Sequence, residues 1–255
     1  MRFLAIESAS ACVGCALWAD GGPVASFALD AGARHSEVLM PAIDHLFRSA
    51  AWAPADIDGV AVDVGPGLFT GLRVGLATAG AVAAARSLPI AGVSSLRALA
   101  HPHRHRRGLV AAVVDAKRGE VFWSIYRSDG DGLEEVSPPA VAPPGDVVEH
   151  LAGLAGPAEV CLAAGDGAWR YRAQLESAGI VVAGPVEAWP SPLAVAELGA
   201  RALAAAVTGA PLPPPRPLYL READVRIGWE RVDGRVVGDA RGSWLAAPGA
   251  GCNPA

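Results

Sequence analysis

The chain opens on short apolar runs broken by turn residues. Arg2 to Ile6 and Cys12 to Trp18 are compact apolar segments, Ala19 to Gly22 carries an Asp-Gly-Gly signal, and Val24 to Leu29 follows directly. Runs of this length bounded by turn chemistry predict strands, and the tight connections between them predict an antiparallel meander. The period then changes. In "HSEVLMPAIDHLFRSA" the residues Leu39, Ala42, Ile43, Leu46 and Phe47 share one stripe of a 3.6-residue repeat, which predicts a helix with Ser36 as its N-cap. "GVAVDV" (59–64) predicts another strand, running into "GPGLFTGLRVG" (65–75) and a second helix; "GVSSLRALA" predicts the start of a third.

A basic tract, "HPHRHRR" (101–107), reads as a solvated loop, after which the pattern partly repeats. Val110 to Val114 and Val121 to Tyr126 predict a hairpin around "DAKRGE", with Gly119 where a positive φ is needed. "SPPAVAPPGD" reads as a linker, followed by a helix near 146–154, a strand near 160–164 and an alanine-rich helix from about Pro192 to Val207. "APLPPPRPLYL" (210–220) must run extended, because proline cannot continue a helix. Beyond Asp224 the chain is rich in Gly, Arg and Ala with little pattern, and 225–255 reads as a frayed tail. Meander, helix, strand, helix and a partial echo predict an α/β protein of two subdomains, 1–107 and a reduced 108–224, whose last helix is free to pack back on the first. That is the layout of a duplicated ribonuclease-H-like fold.

Composition narrows the function. A chain of 255 residues that is 52% hydrophobic supplies a sizeable core, and a net charge of −5 excludes a whole-protein basic field for nucleic acid, leaving a partner or a local patch. No run approaches the roughly 20 apolar residues of a membrane span, and the N-terminus turns polar too early for a signal peptide, so a cytoplasmic protein is expected. Cysteines 12, 15, 161 and 252 make no disulfide framework, and residues three apart in a strand face opposite ways, so Cys12 and Cys15 do not form a zinc pair.

Candidate chemistry is sparse. Glycines before a helix offer unpaired N–H groups to an anion, but "GPGLFTG" lacks the lysine and hydroxyl that end a triphosphate-binding loop. Gly71, Gly75, Ala79 and Ala83 recur every fourth residue, and Ala77, Gly80, Ala81 and Ala84 widen a bare strip suited to close helix approach, within this chain or from a partner. His35 and His45 lie about 15 Å apart on one helix and cannot share an ion. His103 and His105 stand at a weakly chelating spacing, and Glu7 closes the first strand as a lone carboxylate, where kinase-like ribonuclease-H folds hold a magnesium-associated one. The residues alone thus yield no catalytic set and no metal set. They leave open an interaction subunit, a phosphotransferase or ATPase built on Glu7 and the glycine turn, and a metallopeptidase, which the lack of ligand spacing disfavours.

Six stretches, "FLAIESA", "RHSEVLMPAIDHLF", "DVGPGLFTGLRVGLATA", "PIAGVSSLRALA", "VDAKRGEVFWSIY" and "PLYLREADV", together resemble the TsaB family of tRNA threonylcarbamoyladenosine biosynthesis proteins, over residues 1 to about 225. The resemblance implies an actin/Hsp70/sugar-kinase-like fold and a non-catalytic paralogue of TsaD. It implies a heterodimer with TsaD, work alongside the ATPase TsaE, and contact with tRNA only through the complex, which uses ATP and Mg that this chain does not bind tightly. An exposed small-residue face is also compatible with a homodimer when TsaD is absent. The family's helical contact maps the partner surface onto Leu39, Ile43, Leu46, Phe47, Gly71, Gly75, Ala79 and Ala83, and nucleotide contacts onto Gly67, Thr70 and Arg73. Glu7 stands where the family usually has aspartate, and Lys117 replaces a frequent arginine.

Overall fold

The computed structural model describes residues 1–19, 21–32, 34–209 and 212–221. The opening meander is β1 (Arg2–Glu7), β2 (Cys12–Ala19) and β3 (Gly22–Asp30). Helix α1 (His35–Ser49), β4 (Gly59–Gly65), α2 (Phe69–Arg86) and β5 (Ile90–Ser94) complete the first half. Strand β1 pairs antiparallel with β2 and parallel with β4, giving the order β3-β2-β1-β4-β5. Helix α3 (Ser95–Ala100) and a 3-10 turn (His101–His103) lead to the second half. This consists of β6 (Gly108–Lys117), β7 (Glu120–Ser128), β8 (Leu133–Ala142), α4 (Pro144–Leu154), β9 (Cys161–Ala164), the short α5 (Asp166–Arg170) and α6 (Arg172–Ser177), and β10 (Val181–Val182). The last described helix is α7 (Pro192–Thr208).

The second sheet has the order β10-β9-β6-β7-β8, which is the first order repeated, with a central strand antiparallel to one neighbour and parallel to the other. Each half is thus a ribonuclease-H-like unit, and the pair has the α/β layout of the actin/Hsp70/sugar-kinase-like fold. The second half keeps all five strands but is reduced in size, with four residues in β9, two in β10, and five- and six-residue helices α5 and α6.

Alternation along the strands builds the layers. Leu4, Ile6, Val60 and Val62 bury one face of the first sheet against α1 and α2, while Phe3, Ala5, Ala61 and Val93 bury the other against Ala194, Val195, Ala196 and Leu203 of α7. In the second half Leu109, Ala111 and Val113 face α4 to α6, and Val110, Ala112 and Val114 face Leu96 and Leu99 of α3. Helix α3 also touches β4, β5 and α7, so α3 and α7 form a middle layer between the sheets. Each Leu, Ile or Val taken fully from water contributes about 1.5–3 kcal/mol, and two-sided burial of both sheets is what the high apolar fraction serves.

Four local expectations are corrected. Helix α1 starts one residue before Ser36, with Arg34 at the cap position and no side-chain cap bond, because His35 is drawn into the core. "GVSSLRALA" splits: Ile90–Ser94 joins β4 as a parallel strand, and the helix starts only at Ser95. The "SPPAVAPPGD" linker is largely strand, since β8 lies at the sheet edge, where Pro138 and Pro139 need no outward N–H. The "HPHRHRR" tract is not a fully solvated loop: His101 and His103 are buried. The expected tail, 225–255, lies outside the described residues. Among those residues no helix is long and apolar enough to cross a membrane.

Candidate functional site

The carboxyl ends of β1 and β4 bring together the residues on which any chemistry of the first half would depend. Their parallel register sets Ile6 beside Val62, so the next residues, Glu7 and Asp63, lie side by side on one face. Glu7 is fully buried, and its carboxyl accepts from Ala9 N (3.0 Å), Ser10 N (3.1 Å) and Ser10 Oγ (3.2 Å). Asp63 accepts through Oδ1 from Ser95 Oγ (2.6 Å) and Gly65 N (2.7 Å), while Oδ2 is buried without a partner. Burial, and then the neighbouring Asp63 charge, hold the Glu7 carboxyl well above its usual range. Burial likewise pushes Asp63 up to about 7, against the Ser95 and Gly65 hydrogen bonds. Glu7 turns its oxygens to its own turn rather than to solvent, which does not fit the magnesium-associated role that its position in the fold implies.

The glycine turn serves the same junction. A Cβ at Gly67 would stand 2.1 Å from Ala9 O, at Gly71 2.0 Å from Ser8 O, and at Gly75 2.2 Å from Ser8 Oγ. Ser8 Oγ donates to Gly71 O (2.9 Å), Leu68 N to Ala9 O (2.7 Å), and His35 Nε2 to Ser10 O (2.8 Å). The glycines therefore let α2 press directly on the β1–β2 turn, while His35 clamps α1 onto it.

This placement corrects the expected partner surface. Leu39, Ile43, Leu46, Phe47, Gly71, Gly75, Ala79 and Ala83 are all buried within the chain, packed on the first sheet and its turns. Of the nucleotide candidates, Gly67 is enclosed by Ala9, whereas Thr70 and Arg73 are exposed one turn apart, with the Arg73 guanidinium 3.8 Å over the Phe69 ring.

In the second half Asp115 lies two residues before the end of β6 and Asp166 opens α5, with Asp115 N donating to Asp166 Oδ1 (2.9 Å). Burial would raise Asp115, but the hydrogen bonds and charge of Lys117 (2.9 Å), with Arg170 beyond, hold it below the usual carboxylate range. Burial raises Asp166. At the crossing between halves, Glu197 of α7 meets His101 (3.0 Å), Arg104 (3.4 Å) and Arg201 (2.6 Å), and Glu187 approaches His103 (3.6 Å). His105 instead lies exposed against Gly130 O (3.3 Å), so the spaced histidines do not converge. Burial pushes the Cys12 and Cys15 thiols up to about 11 and 12, far from metal-binding thiolates. Among the described residues no group of three or more His, Cys, Asp or Glu could hold a metal ion.

Sequence reasoning singled out Glu7 and the glycines but not Asp63, Ser95 or Glu197. The one available signal was Asp63 itself, an acidic residue inside an otherwise apolar strand.

The family described as TsaD, tRNA N6-adenosine threonylcarbamoyltransferase, matches residues 29–183. The tRNA threonylcarbamoyladenosine biosynthesis protein TsaB of Escherichia coli (strain K12) is 35% identical over 161 residues, 61% of this chain and 68% of that protein. Its namesake in Bacillus subtilis (strain 168) is 36% identical over 138 residues, 54% of this chain and 60% of that protein. The solved structure of YeaZ from Pseudomonas aeruginosa superposes with a TM-score of 0.70 and 26% identity, covering 86% of this chain and 99% of that one.

Proposed function

The chain belongs to the TsaB family, and from that premise we propose that it takes part in tRNA threonylcarbamoyladenosine biosynthesis as a non-catalytic subunit that dimerises with TsaD and activates it. TsaD, with the ATPase TsaE and with ATP and Mg used by the complex, would transfer threonylcarbamoyl to adenosine 37 of tRNAs that read codons beginning with A. The net charge of −5 is consistent with tRNA contact through the complex.

The observation that carries the reading is Gly80. Gly71 and Gly75 are needed by the chain itself, but a Cβ at Gly80 meets nothing within 4 Å. A mid-helix glycine costs about 1 kcal/mol relative to alanine, so one without an internal cause points to a neighbour from outside. Ala77, Gly80, Ala81 and Ala84 are exposed along the outer side of α2, and α1 beside it turns Met40 outward. That outward strip, not the buried one, is the surface on which a TsaD helix would lie. A self-standing phosphotransferase is disfavoured by the enclosure of Glu7.

Size-exclusion chromatography with light scattering on this protein, on TsaD from the same organism, and on an equimolar mixture with ATP and Mg tests the proposal; adding TsaE extends it. A new peak at the heterodimer mass is expected. Separate elution across several salt and nucleotide conditions would overturn the reading, and a dimer-mass peak from this protein alone would assign the strip to self-association.

A further inference from the structure

Residues 212–221 form no regular element, yet they touch both halves at defined points. Leu212, Pro213 and Pro214 line an apolar cleft with Leu88, Pro89 and Ile90 at the start of β5. Further along, a Cβ at Gly92 would lie 3.2 Å from the Pro215 side chain, so the segment lies close over mid-β5. Leu218 N then donates to Val64 O (2.7 Å) near the end of β4, and Tyr219 packs on Phe69 with ring centroids 5.4 Å apart. Arg221 leaves the first half: its guanidinium donates to Ala116 O (3.0 Å) and pairs with Glu120, one contact on each side of the β6–β7 hairpin.

The chemistry of the segment suits a spacer. Prolines at 213, 214, 215 and 217 favour a polyproline rod, which rises about 3.1 Å per residue, so Leu212 to Leu218 spans roughly 19 Å. Strand β5 has five residues, about 17 Å of edge, which the rod matches. The three steps from Leu218 to Arg221 can cover at most about 10 Å, so the crossing to the hairpin has little slack. A rod already populated in the unfolded chain also loses little entropy on seating.

We propose that residues 212–221 are a strut that fixes the spacing of the two halves, with the proline rod seated along β5, Leu218 docked at the end of β4, and Arg221 hooked on the β6–β7 hairpin. The glycine turn of the first half and the hairpin of the second are thereby held as one body, although they are far apart in the chain. This mechanical role is independent of which partner the protein binds.

Amide hydrogen exchange on the full chain tests it, comparing the wild type with Arg221→Ala and with a variant carrying Pro213→Gly, Pro214→Gly and Pro215→Gly. The decisive readouts are the crossed ones. Removing the hook should speed exchange over 65–72 in the first half, and softening the rod, with Arg221 intact, should speed it over 115–121 in the second. The expected change is about tenfold, the worth of one charge-assisted hydrogen bond, with α4 unchanged. Changes confined to the hairpin for Arg221→Ala and to 212–218 for the glycine variant would overturn the proposal, as would no change. Should Arg221→Ala fail to fold, the glycine variant alone decides, because it leaves Arg221 and both of its hairpin contacts unaltered.

Discussion

Asp63 has to place charge where no partner waits for Oδ2 and where Glu7 is its neighbour. Because burial raises its folded value to about 7 from 3.8, folding favours the protonated form. The associated stability is complete below the unfolded value and is lost as pH rises through the folded one. Asp63→Asn keeps an acceptor for Ser95 and Gly65 and removes the charge, so it should gain stability over the wild type at pH 8 relative to pH 5. Between those two pH values the ceiling is about 2.6 kcal/mol, for the roughly two pH units between pH 5 and the folded value. Denaturant melts of both proteins at the two pH values check this; a gain that does not vary with pH would mean that Asp63 does not titrate in that range. Gly71→Ala makes the opposite case, since its methyl group would meet the Ser8 carbonyl, which cannot rotate away. It should cost about 1–3 kcal/mol in the same melts. Glu7 was legible as a strand-end carboxylate, but Asp63 became its neighbour only through strand register. His101 and His103 read as solvated because their partners, Glu197 and Glu187, come from the far end of the chain.

A helix period reveals that a strip exists, not what lies against it. In α2 the strip every fourth residue, Gly71 to Ala83, and the flanking set, Ala77 to Ala84, looked like one wide bare surface. The fold turns the first inward onto the Ser8 turn and leaves the second outside. Gly80→Leu should therefore leave the melting temperature of the isolated protein unchanged or higher, because leucine is the better helix former, while reducing TsaD capture in a pull-down by tenfold or more, about 1.4 kcal/mol. Lower stability with intact capture would place the strip in the core instead. Strands β5 and β8 were missed at this scale for different reasons. An apolar run of five residues does not declare its type, and prolines that argue against a central strand are compatible with an edge.

Across the molecule, the echo of strands and helices was enough to expect a duplicated α/β fold, and the identical strand order of the two sheets gives that echo its physical basis. What the pattern could not convey was that the first half is finished by the last described helix. Helix α7 covers the face of the first sheet that Phe3, Ala5, Trp18 and Ala61 present. During synthesis that face must wait, uncovered, while the entire second half emerges from the ribosome. Residues 1–107 therefore lack one layer of their own core until α7 is made. A chain stopped at residue 190 should bind an apolar dye and aggregate, whereas one stopped at residue 221 should melt cooperatively. Cooperative melting of the shorter chain would show that α7 is dispensable. For the nascent protein, the interval between the first strand and the last helix is a period of exposure to chaperones and proteases, its length set by where in the gene the closing helix is encoded.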